Sequence, residues 1–166
     1  MNINFCPECG RKLHMREQPH DPPAMYCDSC REFRFPIFSA AVAAVVLNEA
    51  ETEMILIRQY DYPSPVLVTG YIDKGESAEK AVVREVREEL GMTVSSLRFL
   101  KSHYYAPSET LMLNYAVTVS EAAASPNWEV DGWEWVSVEQ ARAMVKPGGL
   151  AEVFLKDYEE TQSFKR

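Results

Sequence analysis

"VVREVREELGM", Val82 to Met92, places three glutamates, Glu85, Glu88 and Glu89, within five residues of a helix-prone segment. At i, i+3 and i+4 they are neighbours on one helix face, where like charges repel by a few tenths of a kcal/mol per pair. On a helical wheel turning about 100° per residue, Glu88 falls about 60° to one side of Glu85 and Glu89 about 40° to the other. Val82, Val83, Val86 and Leu90 fill an adjoining apolar arc, while Lys80, Arg84 and Arg87 occupy a separate basic arc. A helix that is merely solvated alternates its charges. These acids are instead segregated beside the apolar stripe, so they call for a counter-ion, and oxygen-rich sites suit hard cations such as Mg2+ or Mn2+.

Outward from this helix the chain alternates strand and helix signals. Ser77 is the expected N-cap, and Gly91 ends the helix after Leu90. Upstream, "FSAAVAAVVL" and "EMILIRQYD" read as strands joined by a polar turn around Asn48–Thr52, and "PVLVTG" is a short strand ending at Gly70. Downstream, "VSSLRFLKSHYY", "LMLNYAVTVS" and "DGWEWVS" read as strands. "VSVEQARAMV" and "GLAEVFLKDYEETQ" read as helices. The expected class is α/β, a mixed sheet flanked by helices.

The 166 residues suit one main domain with a small appendage. The formal net charge of -8 opposes non-specific binding to nucleic acid or membrane surfaces. Polyphosphates remain accessible if a divalent cation screens the two anions. "MNINFCPECG" lacks a basic stretch followed by an apolar one, so no secretory signal is expected. "PIFSAAVAAVVL" is about half the length that a bilayer span requires. A cytoplasmic protein without membrane attachment is expected.

Cys6, Cys9, Cys27 and Cys30 form the pattern C-x2-C-x17-C-x2-C, a zinc-site spacing. Four thiolates close a tetrahedral shell, so the Zn2+ would be structural, with no open position for a substrate. His14 and His20 lie between the pairs as bystanders. Residues 1–35 are therefore expected to form a zinc ribbon and residues 36–166 the main domain. Within the ribbon, "REQPHDPPAM" with its three prolines reads as a loop. Its five basic residues (Arg11, Lys12, Arg16, Arg31, Arg34) balance five acidic ones (Glu8, Glu17, Asp21, Asp28, Glu32). A nucleic-acid-reading ribbon usually carries a basic excess, so nucleic acid is not the expected partner.

Gly70, Glu76 and "REVREELGM" together fit G-x5-E-x7-R-E-U-x-E-E-x-G-U, with U a bulky aliphatic residue. This segment resembles the Nudix box, the signature of hydrolases that cleave a nucleoside diphosphate linked to another moiety. The resemblance implies a Nudix-type α/β/α sandwich in which Glu85, Glu88 and Glu89 hold Mg2+ or Mn2+. Arg84 would orient a carboxylate, Glu76 would tie the loop to the helix, and the Gly70 carbonyl would approach a metal. Which glutamate acts as the base differs between relatives.

"FCPECG" and "YCDSCREFRFP", leading into an apolar strand, are similar to the zinc ribbon of NADH pyrophosphatases within that family. The large N-terminal domain of those enzymes has no counterpart in this sequence. Their downstream motif SQPWPFPxSLM corresponds to "SHYYAPSETLM", where Ser102, Leu111 and Met112 match and Tyr105 replaces Trp. The proline-rich centre is replaced. By this resemblance Tyr71 and Tyr105 bind substrate, Tyr71 by stacking on a base. Glu129, six residues before Trp135, is an additional metal-associated glutamate, and Glu109 is a weaker candidate in the substrate loop. His103 is expected to pack or to line the pocket.

The expected activity is metal-dependent hydrolysis of the pyrophosphate bond in a nucleoside diphosphate derivative of the NADH, FAD or ADP-ribose class. A homodimer is implied, because relatives build part of the pocket from both subunits. Two other readings are less favoured: a non-catalytic dinucleotide-sensing module with a partner-binding ribbon, disfavoured by the intact box, and ribbon-guided removal of an RNA cap, disfavoured by the ribbon's charge balance.

Overall fold

The computed structural model describes residues 3–163 and divides into two units between Phe38 and Ser39. The first unit carries β1 (His14–Gln18), β2 (Asp21–Cys27) and β3 (Glu32–Arg34), antiparallel in that order. Its core is small: Cys6, Leu13 and Cys27 are buried, with Ile3, Met25 and Cys30 against them.

The expected loop Arg16–Met25 is instead most of a hairpin, turning at Pro19 and at His20 with φ +71. Its prolines are compatible with strand because of where they fall. Pro22 and Pro23 face the register shift between Arg16 and Gln18, and β3 pairs only with Met25, Tyr26 and Cys27. Neither proline nitrogen is asked for a ladder hydrogen bond, which is where strands tolerate proline.

The second unit is a mixed sheet between helices, as expected. Its strands are β4 (Ser39–Asn48), β5 (Met54–Gln59), β6 (Val68–Tyr71), β7 (Val94–Tyr105), β8 (Thr110–Val119) and β9 (Val130–Val136). The order is β7-β8-β4-β5-β9, with β6 also on β4; the β4–β8 pair is parallel and the others antiparallel.

The near-continuous apolar run Ala41–Leu47 is buried on both faces, as suits a central strand. Its even-numbered residues pack with Ala81, Val82, Val86 and Leu90 of α1 (Ala78–Leu90). Its odd-numbered residues pack with Ala141 of α2 (Val138–Met144) and with Phe154, Leu155 and Tyr158 of α3 (Leu150–Ser163). Period two across the strand thus places one helix layer on each side. No helix among the described residues is long and apolar enough to cross a membrane.

Candidate active site

The caps of α1 lie where the sequence predicts them. The Ser77 side chain accepts from the Lys80 N–H at 3.4 Å, and Gly91, at φ +66, donates its N–H to the Arg87 carbonyl at 2.9 Å. Fixed ends and a buried Val82–Val86–Leu90 stripe set the helix rotation, which turns the glutamates toward the end of β6. There Gly70 pairs with Val42 of β4, and a Cβ on Gly70 would overlap the Glu85 carboxyl group. Gly70 is required for this close approach, not for a turn. Gly70→Ala should displace Glu85 and lower turnover about 10²-fold, the scale of an ångström of misplacement. Steady-state kinetics on the folded variant checks this.

Arg84 ties the cluster together. Its guanidinium donates to both Glu76 oxygens at 3.0 Å, to Glu85 Oε1 at 2.6 Å, to Glu88 Oε2 at 3.1 Å and to the Tyr71 carbonyl at 2.9 Å. These hydrogen bonds hold the Glu76 carboxyl below its ordinary range. Burial instead pushes Glu85 up, against the pull of Arg84.

Glu89 is the most enclosed of the three, 3% exposed, and its Oε2 has no hydrogen-bond partner. Burial pushes its carboxyl up to about 8, a hydrogen bond with Gln59 opposes the rise, and Glu85, Glu129 and Glu88 add to it. A buried carboxylate oxygen without a donor is costly unless a cation faces it.

A cleft of about 370 Å3 gathers Gly70, Tyr71, Arg84, Glu85, Glu89 and Glu129. Glu129 accepts from the Tyr60 hydroxyl at 2.9 Å through Oε1 and from Asn127 Nδ2 at 3.2 Å through Oε2. The bond to Glu129 raises the Tyr60 hydroxyl above its ordinary range.

Other expected site residues lie elsewhere. Glu76 sits behind Arg84, outside the cleft lining. Glu88, with its side chain 55% exposed, also lies outside that lining. Tyr105 lines a different cleft of about 370 Å3 with Tyr62, Lys146 and Phe154; Gln59 and Thr69 belong to both clefts. Glu109, at φ +48, ends the turn after β7, where its carbonyl accepts from the Ser39 N–H at 3.2 Å. His103 packs beneath α3, its Nε2 2.8 Å from Asp157 Oδ2.

Sequence reasoning missed Gln59, Tyr60, Thr69 and Asp73, which complete the lining. Gln59 and Tyr60 carried one signal, their place in the polar "QYDYPSP" stretch at the end of an expected strand, and Thr69 and Asp73 lie within three residues of Gly70.

In the first unit the four cysteines are free, and their sulfurs lie within 4.8 Å of one another. Cys6 and Cys30 Sγ are 3.8 Å apart, and Cys9 and Cys27 Sγ 3.5 Å. Four sulfurs each about 2.3 Å from a central Zn2+ in tetrahedral array would stand about 3.8 Å apart, so the group fits that ion. The backbone N–H of Cys9 is foremost in drawing the Cys6 thiol down to about 6, while hydrogen bonding with Cys9 is foremost in pushing Cys30 up to about 12. His14, 3.3 Å from Asp28, and His20, in the hairpin turn, are outside the group.

The NUDIX domain profile matches residues 38–155. The chain belongs to the NUDIX family. Among curated relatives it is similar to the NAD-capped RNA hydrolases NudC of Vibrio atlanticus and Pseudomonas aeruginosa. The first is 24% identical over 94% of this chain and 57% of the relative; the second is 33% identical over 81% and 48%. The chain thus spans about half the length of the curated relatives it matches.

Solved structures show the same NUDIX fold. A NUDIX hydrolase from Nitrosomonas europaea covers 99% of this chain and 94% of its own, with a TM-score of 0.69 at 18% identity. The NUDIX domain of Shewanella oneidensis NrtR, complexed with ADP ribose, covers 85% of this chain and 94% of its own, with a TM-score of 0.63 at 19% identity.

The burial of Glu89 makes the stability of the NUDIX domain depend on pH. A carboxyl raised from 4.5 to about 8 favours the fold below the lower value, and that contribution is lost as pH climbs through the upper one. Glu85 shifts in the same direction; Glu76, held low, has the opposite sign and contributes above its ordinary range. The cation-free protein should therefore melt at a lower temperature at about pH 8.5 than at about pH 6, and Mn2+ should raise Tm more at the higher pH. Thermal melts check this, with Glu89→Gln expected to flatten the profile.

Proposed function

We propose that this NUDIX domain hydrolyses the pyrophosphate bond of a nucleoside diphosphate derivative of the NADH, FAD or ADP-ribose class. The observation that carries the reading is the convergence of Gly70, Glu85, Glu89 and Glu129 on one cleft, with Glu89 Oε2 buried and unpartnered. That donor set, all oxygen and mostly carboxylate, fits Mg2+ or Mn2+. Glu85, Glu88, Glu89 and Glu129, with the Gly70 carbonyl, would hold the ion. Bound there, the cation supplies charge neutralisation at the phosphates and activation of the attacking water.

The chain's own groups do the rest. Arg84 keeps Glu76, Glu85 and Glu88 in one hydrogen-bonded array, so the carboxylates are aligned before substrate arrives. Glu85, Glu89 and Glu129 are the cleft carboxylates available to take a proton from water. Tyr71, 61% exposed at the cleft edge, offers a ring face to a nucleobase. Tyr105, one cleft further on, would meet the second half of a dinucleotide, as Gln59 and Thr69 join the two clefts.

In the first unit Cys6, Cys9, Cys27 and Cys30 would hold a structural Zn2+. Free thiols in such a cluster suit a reducing compartment, so a cytoplasmic location belongs to this proposal. A homodimer is the assembly that the resemblance implies, and light scattering measures it directly.

The similarity to NAD-capped RNA hydrolases adds a capped RNA end to the candidate substrates. NADH, NAD+, FAD, ADP-ribose and an NAD-capped oligonucleotide should be incubated with the zinc-loaded protein and Mg2+ or Mn2+, and the products separated. Release of two monophosphates from a free dinucleotide supports the proposal. Preference for the capped oligonucleotide would extend it to RNA ends. Tight binding of every member without hydrolysis would favour the non-catalytic sensing module.

A further inference from the structure

Tyr60 sits in an unusual piece of backbone. It follows β5 directly, and it and Asp61 both take left-handed conformations, at φ +52 and +54, although neither is glycine. Two consecutive non-glycine residues in that region are costly and persist only where the surroundings hold them, a pattern that concentrates at functional sites. Here two hydrogen bonds hold the turn: the Asp61 N–H to Asp131 Oδ2 at 2.9 Å and the Tyr62 N–H to the Gln59 carbonyl at 2.9 Å.

The strained turn delivers the Tyr60 hydroxyl to Glu129 Oε1, in the same cleft as Glu85 and Glu89. The Glu129 side is equally prepared. Its N–H donates to Asn127 Oδ1 at 2.9 Å, and Asn127 Nδ2 returns a bond to Glu129 Oε2 at 3.2 Å. The Asn127 N–H donates in turn to the Glu89 carbonyl at 3.2 Å, which fastens this segment to α1. Each Glu129 oxygen thus accepts one bond from the protein. An ionised carboxylate has about four acceptor sites, so each oxygen keeps one for a cation.

We infer that Tyr60 is a positioning residue that aims the Glu129 carboxylate at the divalent cation of the cleft. The inference rests on the proposed role of Glu129 as a cation ligand. Its hydroxyl fixes which oxygen of Glu129 faces inward. Its ring also stands edge-on to Trp128 at 6.4 Å, but Trp128 is exposed and outside the cleft lining.

The test is Mn2+ affinity of the zinc-loaded chain, by titration with electron paramagnetic resonance, for wild type, Tyr60→Phe, Glu129→Gln and Trp128→Ala. Tyr60→Phe keeps the ring and removes only the hydroxyl. It should weaken Mn2+ binding about 10-fold, as loss of a ligand-orienting partner does, while the cation-free Tm stays at the wild-type value. Glu129→Gln should weaken binding at least as much, and Trp128→Ala should leave it unchanged. Wild-type affinity in Tyr60→Phe beside weakened binding in Glu129→Gln would overturn the role of Tyr60 alone. Wild-type affinity in Glu129→Gln would overturn both that role and the assignment of Glu129.

Discussion

Glu85→Gln is expected to lower kcat/KM by roughly 10³-fold, about 4 kcal/mol of transition-state stabilisation, without unfolding the domain. Three observations place the effect at this residue. Its carboxyl lies against Gly70, where no side chain larger than hydrogen fits. It is 12% exposed yet still lines the cleft, so it is enclosed without being removed from substrate. It accepts the 2.6 Å bond from Arg84, which fixes one oxygen and leaves the other for a cation. Glutamine has nearly the same size and removes the charge, so the loss reports cation holding and not packing. Burial raises the Glu85 carboxyl, so neutralising it should leave the cation-free protein at least as stable as wild type at neutral pH. Reduced activity with an undiminished Tm is the expected pair of results. A parallel fall in both would assign Glu85 to structure.

The second large effect concerns the first unit. Removing metal with a chelator, or changing Cys27 to Ser, should unfold β1, β2 and β3 while the six-stranded sheet stays folded. Among the described residues of that unit only Cys6, Leu13 and Cys27 are buried side chains of its core, too few to offset the chain entropy of a stable fold. Structural Zn2+ in comparable small domains contributes about 10–16 kcal/mol of apparent binding free energy, which is then folding free energy. The second unit has two large apolar clusters of its own and no need of that ion. Amide hydrogen exchange separates the two: with metal removed, β1–β3 should lose protection while β4 and β8 keep theirs. Persistent protection of β1–β3 without metal would contradict a metal-dependent ribbon.

Much of the site was legible because one helix carries it. The Ser77 and Gly91 caps fixed where α1 starts and stops, and the valine stripe fixed its rotation. The wheel even orders the glutamates by burial. Glu89 lies nearest the apolar arc and is 3% exposed, while Glu88 lies farthest and its side chain is 55% exposed.

What escaped the sequence depends on tertiary geometry. Glu129 matched a spacing within a resemblance, but its partner Tyr60 comes from a turn 69 positions away, and the turn's left-handed backbone has no glycine to announce it. Tyr71 and Tyr105 were both expected to bind substrate, and they line two clefts that share Gln59 and Thr69. The hairpin of the first unit was hidden by its prolines, which read as loop residues until a register shift shows that their nitrogens face no partner.

The measurement closest to the central claim is hydrolysis of NADH in 18O-labelled water with Mg2+, followed by mass spectrometry of the products. Two nucleoside monophosphates, one of them carrying a single 18O, are expected, with the same products forming roughly 10³-fold more slowly from Glu85→Gln. Intact NADH recovered bound to folded, metal-loaded wild-type protein, with the other members of the panel equally uncleaved, would contradict that claim.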